Sequence, residues 1–140
     1  TLKNLGCERT WVVHGSDGTD ELTTTGPSYV ASLENDTIKT FEVSPADAGL
    51  AEVEPEYLKG GDGEYNASAI RGMLAGDAGP YRDIVLYNAA AALIIAEKAE
   101  NLRDGVAMAA NAIDCGEAAA VLEKLLEITN SNCHPEEENV

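Results

Sequence analysis

Three carboxylates lie within five residues near the start of the chain, where residues 14–21 read H-G-S-D-G-T-D-E. This segment follows a short β-branched and aromatic run that predicts a buried strand. Carboxylate oxygens are the ligands that Mg²⁺ prefers, and one or two of them commonly hold the ion while substrate phosphates and water complete its octahedron. Asp20 and Glu21 fit that pattern, so they are the candidate metal-binding pair.

An acidic turn is the alternative reading of the same residues. Asp17 and Gly18 would then shape the backbone, while Asp20 and Glu21 would be solvated or would cap the following segment. His14 could act as a base or ligand, although a histidine at a strand end more often hydrogen-bonds a backbone group. An EF-hand is excluded, because the spacing D-x-[DN]-x-[DN]-G-x₅-E is not satisfied.

Two further segments deserve comparison with the acidic one. Glycines at positions 60, 61 and 63 precede a helix start and could cradle an anion, but the neighbouring acids weaken that idea, and we expect a turn with Asn66 as the helix N-cap. The other is Arg82-Asp83 with Asn88, which needs hydrogen-bond partners in an otherwise apolar helix; we expect interhelical packing to supply them. With two histidines in the chain, no nucleophilic triad can be assembled, and no catalytic residue is assigned.

The charge of the chain excludes several classes of partner. Its 140 residues, about one domain's worth, carry 9 Lys and Arg against 25 Asp and Glu, a net charge of −16. Such a surface repels both nucleic acid and anionic lipid. The longest apolar run, residues 89–96, is too short to span a membrane. Three cysteines without a C-x-x-C pair argue against a disulfide framework or a zinc site, which favours a cytoplasmic location.

Short strands come first and helices later. The pattern predicts strands at about residues 9–15, 28–33 and 37–43, the last two joined as a hairpin by a turn at residues 34–36. A loop with short helical turns is expected to residue 63, followed by helices at about 66–74, 82–100, 102–113 and 117–128, with Gly116 ending the third of them. This order fits either an α+β domain or the second half of a larger α/β sheet. The chain begins without Met or a signal peptide, so we expect it to be the later part of a longer protein.

Four ordered motifs carry a resemblance to a known family. They read H-G-S-D-G-T-D-E, P-A-D-A-G-L, G-G-D-G-E-Y-N-A and G-D-A-G-P-Y-R-D-I-V-L-Y-N-A-A-A-A-L, and they resemble the carboxy-terminal portion of anthranilate phosphoribosyltransferase. The resemblance covers residues 5–126. It implies an α/β fold, the second half of a nucleoside phosphorylase/phosphoribosyltransferase-type catalytic domain, over residues 1–129, with residues 130–140 as a flexible acidic tail.

The resemblance also implies a function. The family transfers phosphoribosyl from phosphoribosyl pyrophosphate to anthranilate in tryptophan biosynthesis, releases pyrophosphate, depends on Mg²⁺ and is commonly a homodimer. Its acidic metal ligands carry over to Asp20 and Glu21. The family's G-T-G-G-D loop and K-H-G-N segment do not occur here, so substrate-binding residues cannot be assigned and we expect this chain alone to be inactive. Thr19 and Tyr65 depart from the family pattern and bear on substrate specificity.

Two alternatives stay open at this point. One is a pyrimidine nucleoside phosphorylase-like relative of the same superfamily, although the acidic pair argues for a donor that bears pyrophosphate. The other is a non-catalytic remnant that acts as a binding or oligomerisation module. An exposed apolar face would support the second alternative.

Overall fold

The computed structural model describes residues 1–131 and has three strands followed by four helices. A short 3₁₀ turn at Leu2–Leu5 comes first, and two more, Pro45–Ala48 and Pro55–Leu58, connect the strands to the helices. The elements are β1 (Arg9–Gly15), β2 (Ser28–Glu34), β3 (Thr37–Val43), α1 (Gly63–Leu74), α2 (Pro80–Ile95), α3 (Leu102–Asp114) and α4 (Glu117–Ser131). The predicted order of short strands and then helices is confirmed.

The strands form an antiparallel sheet in the order β1-β2-β3. The predicted hairpin of β2 and β3 is confirmed; its turn places Asn35 and Asp36 at φ 48° and 60°, the left-handed pair that a two-residue hairpin favours. On the other side of β2, Gly15 pairs with Ser28. The long connection from β1 to β2 therefore begins and ends at one paired position of the sheet.

One face of the sheet packs against α2, whose alanines allow close approach of its neighbours. A first buried cluster joins the sheet, the loop after β1 and α2, and a second joins the helices. The first contains Leu22, Val30, Val43, Ala48, Tyr87, Ala90, Ala91 and Leu102, and the second contains Met73, Leu86, Ala109 and Ile113. Helix α2 contributes to both clusters, so it is the central element of the domain.

Helix α1 begins earlier than the sequence pattern predicted, and its cap is a different residue. Asp62 is the N-cap, with its carboxylate accepting from the N–H of Tyr65 at 2.9 Å. The expected cap, Asn66, lies inside the helix, and its side-chain amide pairs with both backbone groups of Gly61 at 2.9 and 3.0 Å. Asp62 is the N-cap because its carboxylate lies next to the first N–H groups of the helix, which have no acceptor within the helix.

Helix α2 is shorter than predicted at its carboxyl end. It stops at Ile95, and Glu97 adopts a left-handed φ of 58°. The N–H of Lys98 then donates to the carbonyl of Leu93 at 2.8 Å, which closes the helix in the manner of a Schellman turn. The expected glycine stop after α3 is confirmed, because Gly116 has a φ of 82°.

Helix α4 continues to Ser131, three residues beyond the predicted end. Its apolar stripe is largely solvent-exposed, with Val121 at 68%, Leu125 at 54% and Ile128 at 52%. Of the predicted tail at residues 130–140, the first two residues belong to α4, and the others lie outside the described residues. Among residues 1–131 no single helix is long and apolar enough to cross a membrane; α3 and α4 pass that test only as a pair bent by 63°.

Replacing Gly105 with alanine is expected to destabilise the domain. A Cβ at this position would lie 2.7 Å from the Cβ of Ala90 and 2.8 Å from its Cα, so α2 and α3 would have to separate. We expect Gly105→Ala to lower the free energy of unfolding by about 1–3 kcal/mol in urea titrations. Gly63→Ala is the control, since nothing lies within 4 Å of the added Cβ; equal stability of the two variants would contradict the packing described here.

Candidate functional site

The acidic pair lies in the connection between β1 and β2, which we call the β1–β2 loop (residues 16–27). At its start the N–H of Gly15 donates to the carbonyl of Thr19 at 2.9 Å, and at its end the N–H of Ser16 donates to the carbonyl of Pro27 at 3.0 Å. Gly18 takes a left-handed φ of 91°, which a glycine adopts without strain. The loop is therefore a closed turn on the sheet edge.

The carboxylate of Asp17 organises the loop from within. Its Oδ1 accepts from the N–H and Oγ1 of Thr19 at 3.1 and 2.8 Å. Its Oδ2 accepts from the hydroxyls of Thr23 at 2.6 Å and Thr25 at 2.9 Å. Because both oxygens are engaged by the loop's own donors, Asp17 shapes the backbone. The expectation that Asp17 and Gly18 do so is confirmed.

These contacts set the charge state of Asp17. Partial burial works against ionisation of the carboxyl, but the hydrogen bonds from Thr23, Thr19 and Thr25 together outweigh it and hold the pKa well below its usual range. Hydrogen bonds donated to a carboxylate stabilise its charged form. Asp17 is therefore ionised at any pH at which the domain would function.

Asn88 of α2 holds the residue that follows the acidic pair. Its Oδ1 accepts from the N–H of Leu22 at 2.9 Å, and its Nδ2 donates to the carbonyl of Leu22 at 2.8 Å. The same Nδ2 also donates to the carbonyl of Ile84 at 3.0 Å. The partners of Asn88 are thus the β1–β2 loop and its own helix, and the expectation of interhelical partners is wrong. The N–H and C=O groups of Leu22 are buried against an apolar face of α2, and the Asn88 side chain supplies the hydrogen-bond partners that these groups need.

The next two residues of the loop are also fixed. The N–H of Thr23 donates to Oγ of Ser28 at 2.9 Å, and the carbonyl of Thr24 accepts from the N–H of Val53 at 2.9 Å. Leu22, Thr23, Thr24 and Ser28 have no exposed surface. The backbone from residue 22 to residue 24 is therefore buried and hydrogen-bonded to three different segments.

Asp20 and Glu21 are exposed and lie between Thr19, whose N–H and hydroxyl donate to Asp17, and the buried Leu22. Glu21 lines a groove of about 680 Å³ together with Asp17, Lys59 and Tyr81. Within residues 1–131 no three side chains of the metal-ligating types lie close enough to form a complete cage. A pair of free carboxylates suits Mg²⁺, which keeps several waters and takes the remaining ligands from substrate phosphates. The donor set therefore fits the ion.

The glycine-rich candidate has two of its backbone donors engaged within its own segment. The N–H of Gly61 donates to Asn66, and the N–H of Tyr65 donates to Asp62, so these donors are already used. His14 is exposed and stacks on Tyr29, with ring centroids 6.4 Å apart, and within the described part of the chain its ring makes no hydrogen bond. Neither segment supplies chemistry to the groove.

Arg82 and Asp83 serve the packing of α2. Arg82 has a side chain only 10% exposed and donates to Asp114 of α3 at 2.8 Å, so it links the two helices. Burial raises the pKa of the Asp83 carboxyl, and the charge of Arg82 opposes that shift. The structure places this pair in helix packing.

Several site residues escaped the sequence analysis. The threonines at 19, 23 and 25 make the contacts of Asp17, and their only signal was a threonine cluster soon after an aspartate. Asn88 was noticed as a lone amide on an apolar helix, but its partner lies 66 residues away in sequence. No local sequence pattern predicts a contact between residues so far apart in the chain.

Residues 1–119 match the Glycosyl transferase family, a/b domain. The chain belongs to this family, and its α/β fold class is confirmed. Among curated relatives it is 60% identical to the anthranilate phosphoribosyltransferase of Parvibaculum lavamentivorans over 92% of the chain, and 54% identical to that of Nitrobacter hamburgensis over 92% of the chain. It spans 38% of the length of each of these relatives.

Solved structures show the same likeness. The chain is 37% identical to anthranilate phosphoribosyltransferase from Thermus thermophilus, with a TM-score of 0.78 over 88% of this chain and 36% of that one. It is 27% identical to the Saccharomyces cerevisiae enzyme in complex with PRPP and Mg, with a TM-score of 0.79 and the same coverage. The resemblance to anthranilate phosphoribosyltransferase that the motifs carry is confirmed.

The Asp17 contacts predict a pH-dependent stability. A carboxyl whose folded pKa lies below its unfolded value of about 3.9 stabilises the fold above that pH and loses the contribution as the pH falls toward the folded pKa. We expect Asp17→Asn to lower the free energy of unfolding by about 1–2 kcal/mol at neutral pH. The difference from the unmodified chain should shrink below about pH 4.

Urea titrations at several pH values measure this difference. Asp36→Asn is the matched control, because Asp36 has 88% of its side chain exposed and forms a 3.5 Å surface ion pair with Lys3. A surface pair of this kind contributes little. An Asp17→Asn effect that is constant down to pH 2, or no larger than that of Asp36→Asn, would show that the carboxylate does not hold the loop.

Proposed function

We propose that this chain provides the metal-binding part of an anthranilate phosphoribosyltransferase, with Asp20 and Glu21 as the magnesium ligands. The observation that carries the proposal is the position of these two carboxylates. Among the described residues neither carboxylate has a hydrogen-bond partner, whereas both oxygens of Asp17, the third acid of the loop, accept hydrogen bonds. Glu21 opens onto the groove. The names of the relatives and the PRPP and Mg complex of the yeast enzyme support the same substrate class.

The charges around the groove explain the need for a cation. Its described lining includes three acids, Asp17, Glu21 and Glu56, and one base, Lys59. Such a surface repels a donor that carries pyrophosphate. When bound, Mg²⁺ neutralises the pyrophosphate oxygens and stabilises the negative charge that develops on the leaving group. Asp20 and Glu21 hold the ion at the groove, and the loop that carries them stays fixed.

The remaining contacts of the reaction belong outside this chain. With a net charge of −16 and one lysine in the groove lining, the described residues offer little to bind ribose 5-phosphate or anthranilate. The chain alone is therefore inactive, and turnover requires the portion of the family protein that it does not include. The intact protein is a cytoplasmic homodimer that binds phosphoribosyl pyrophosphate and anthranilate and neither nucleic acid nor membrane.

Manganese tests the metal assignment on this chain directly. Mn²⁺ substitutes for Mg²⁺ at oxygen sites and broadens the NMR signals of nearby nuclei. We expect added Mn²⁺ to broaden the amide signals of residues 19–22 first, and the double variant Asp20→Asn/Glu21→Gln to lose that local broadening. Glu123→Gln/Glu127→Gln on exposed α4 removes the same charge and serves as the control. Broadening that is centred elsewhere, or that both double variants reduce equally, would overturn the assignment.

A binding or oligomerisation module is the second candidate function, because the stripe of Val121, Leu125 and Ile128 on α4 is exposed. Sedimentation equilibrium separates the two candidates. A chain that self-associates through α4 and shows no Mn²⁺ response at the β1–β2 loop would favour the module. A chain with a localised Mn²⁺ response favours the transferase part.

A further inference from the structure

The side-chain amide of Asn88 pairs with both backbone groups of a single loop residue. Its Oδ1 and Nδ2 lie 2.9 and 2.8 Å from the N and O atoms of Leu22, and Nδ2 has a second acceptor in the carbonyl of Ile84. One acceptor and both donor hydrogens of the amide are thus used. The two-point contact fixes the position and the orientation of the Leu22 backbone relative to α2.

This contact acts on the acidic pair through the peptide bond. The N–H that Asn88 accepts belongs to the peptide group that joins Glu21 to Leu22, and a peptide group is planar. Holding that N–H therefore also orients the carbonyl carbon and Cα of Glu21. The side chain of Leu22 is fully buried in the core, which prevents the loop from sliding along the helix.

The other end of the pair is held independently. Thr19, the residue before Asp20, has both its N–H and its hydroxyl bound to Asp17. Asp20 and Glu21 thus lie between two anchored residues, one tied to the loop itself and the other to α2. The anchor at Leu22 connects the pair to a helix of the core.

We infer that Asn88 is a positioning residue for metal binding: it holds Glu21 and Asp20 where they bind a divalent cation, without touching the cation itself. This inference rests on the proposed metal site. Residues that orient metal ligands typically change metal affinity about 10–100-fold when they are replaced. Rigid support matters here because a two-carboxylate site has few ligands of its own and depends on their mutual placement.

Asn88→Asp removes one half of the contact and keeps the size of the side chain. The carboxylate can still accept from the N–H of Leu22, but it cannot donate to the carbonyl and repels it. Tyr87→Phe is the matched control on the adjacent residue of α2, because the Tyr87 hydroxyl is buried and has no hydrogen-bond partner among the described residues. Ile113→Val lowers stability in the second cluster, by about 0.5–1.5 kcal/mol, away from the loop.

The test is the Mn²⁺ titration of the 140-residue chain, followed by NMR at the amides of residues 20 and 21, at a temperature where every variant is folded. We expect Asn88→Asp to weaken the apparent Mn²⁺ affinity about tenfold or more and to speed hydrogen exchange at the Leu22 amide. Tyr87→Phe and Ile113→Val should leave the affinity within about twofold, although Ile113→Val lowers the melting temperature. Asn88→Gln, which keeps the amide chemistry but is one methylene longer, should restore part of the affinity.

Each contrary outcome is distinct. Unchanged Mn²⁺ affinity in Asn88→Asp, with faster exchange at Leu22, overturns the positioning role and leaves the metal site intact. An equal loss in Ile113→Val shows that affinity follows global stability, which also overturns it. If the unmodified chain shows no Mn²⁺ response at residues 20 and 21, the proposed function and this inference fail together. If neither Asn88 variant folds, Asn88 is a folding determinant and the inference is wrong.

Discussion

The contact between the Asn88 side chain and the Leu22 backbone is the constraint on which the site depends. It joins the central helix to a loop that is otherwise tied to the sheet edge and to the segment after β3, and it does so with hydrogen bonds of 2.8 and 2.9 Å at the border of the core. An unpaired amide or an unpaired backbone group there would be costly, about 1–3 kcal/mol each. The Asn88 amide and the Leu22 backbone therefore satisfy each other's hydrogen-bonding groups. The neighbouring acids, Asp20 and Glu21, are held in position while their side chains remain exposed to solvent.

The three acids of the loop have two different roles: Asp17 stabilises the loop, and Asp20 and Glu21 remain exposed on its surface. Asp17 gives both oxygens to threonine donors and keeps a depressed pKa, so it stabilises the turn. Asp20 and Glu21 are left exposed on a backbone that the turn and α2 hold in place. The chain has a net charge of −16, and under the proposed function a cation at these carboxylates would reconcile that acidic surface with an anionic donor. The arrangement agrees with the chain's place in a glycosyltransferase family.

Local patterns predicted the elements but not the contacts between them. The hairpin of β2 and β3 was predictable because β-branched runs flank the turn at Asn35, and the carboxyl end of α3 was predictable from Gly116. The end of α2 was not, because Glu97 takes a left-handed conformation without being glycine. The proposal that Asp20 and Glu21 are metal ligands followed from residue type and family resemblance. Its support by Asn88 did not, because a contact across 66 residues depends on the packing of the sheet against α2.

The central claim is that Asp20 and Glu21 bind the cation while Asn88 and Asp17 hold their loop. Anomalous X-ray diffraction from crystals of this chain soaked with Mn²⁺ and phosphoribosyl pyrophosphate tests it most directly. We expect an anomalous peak in direct contact with side-chain oxygens of Asp20 and Glu21, with the Asn88–Leu22 contact intact. A peak coordinated by Asp17, or one confined to other acids of the surface, would contradict it.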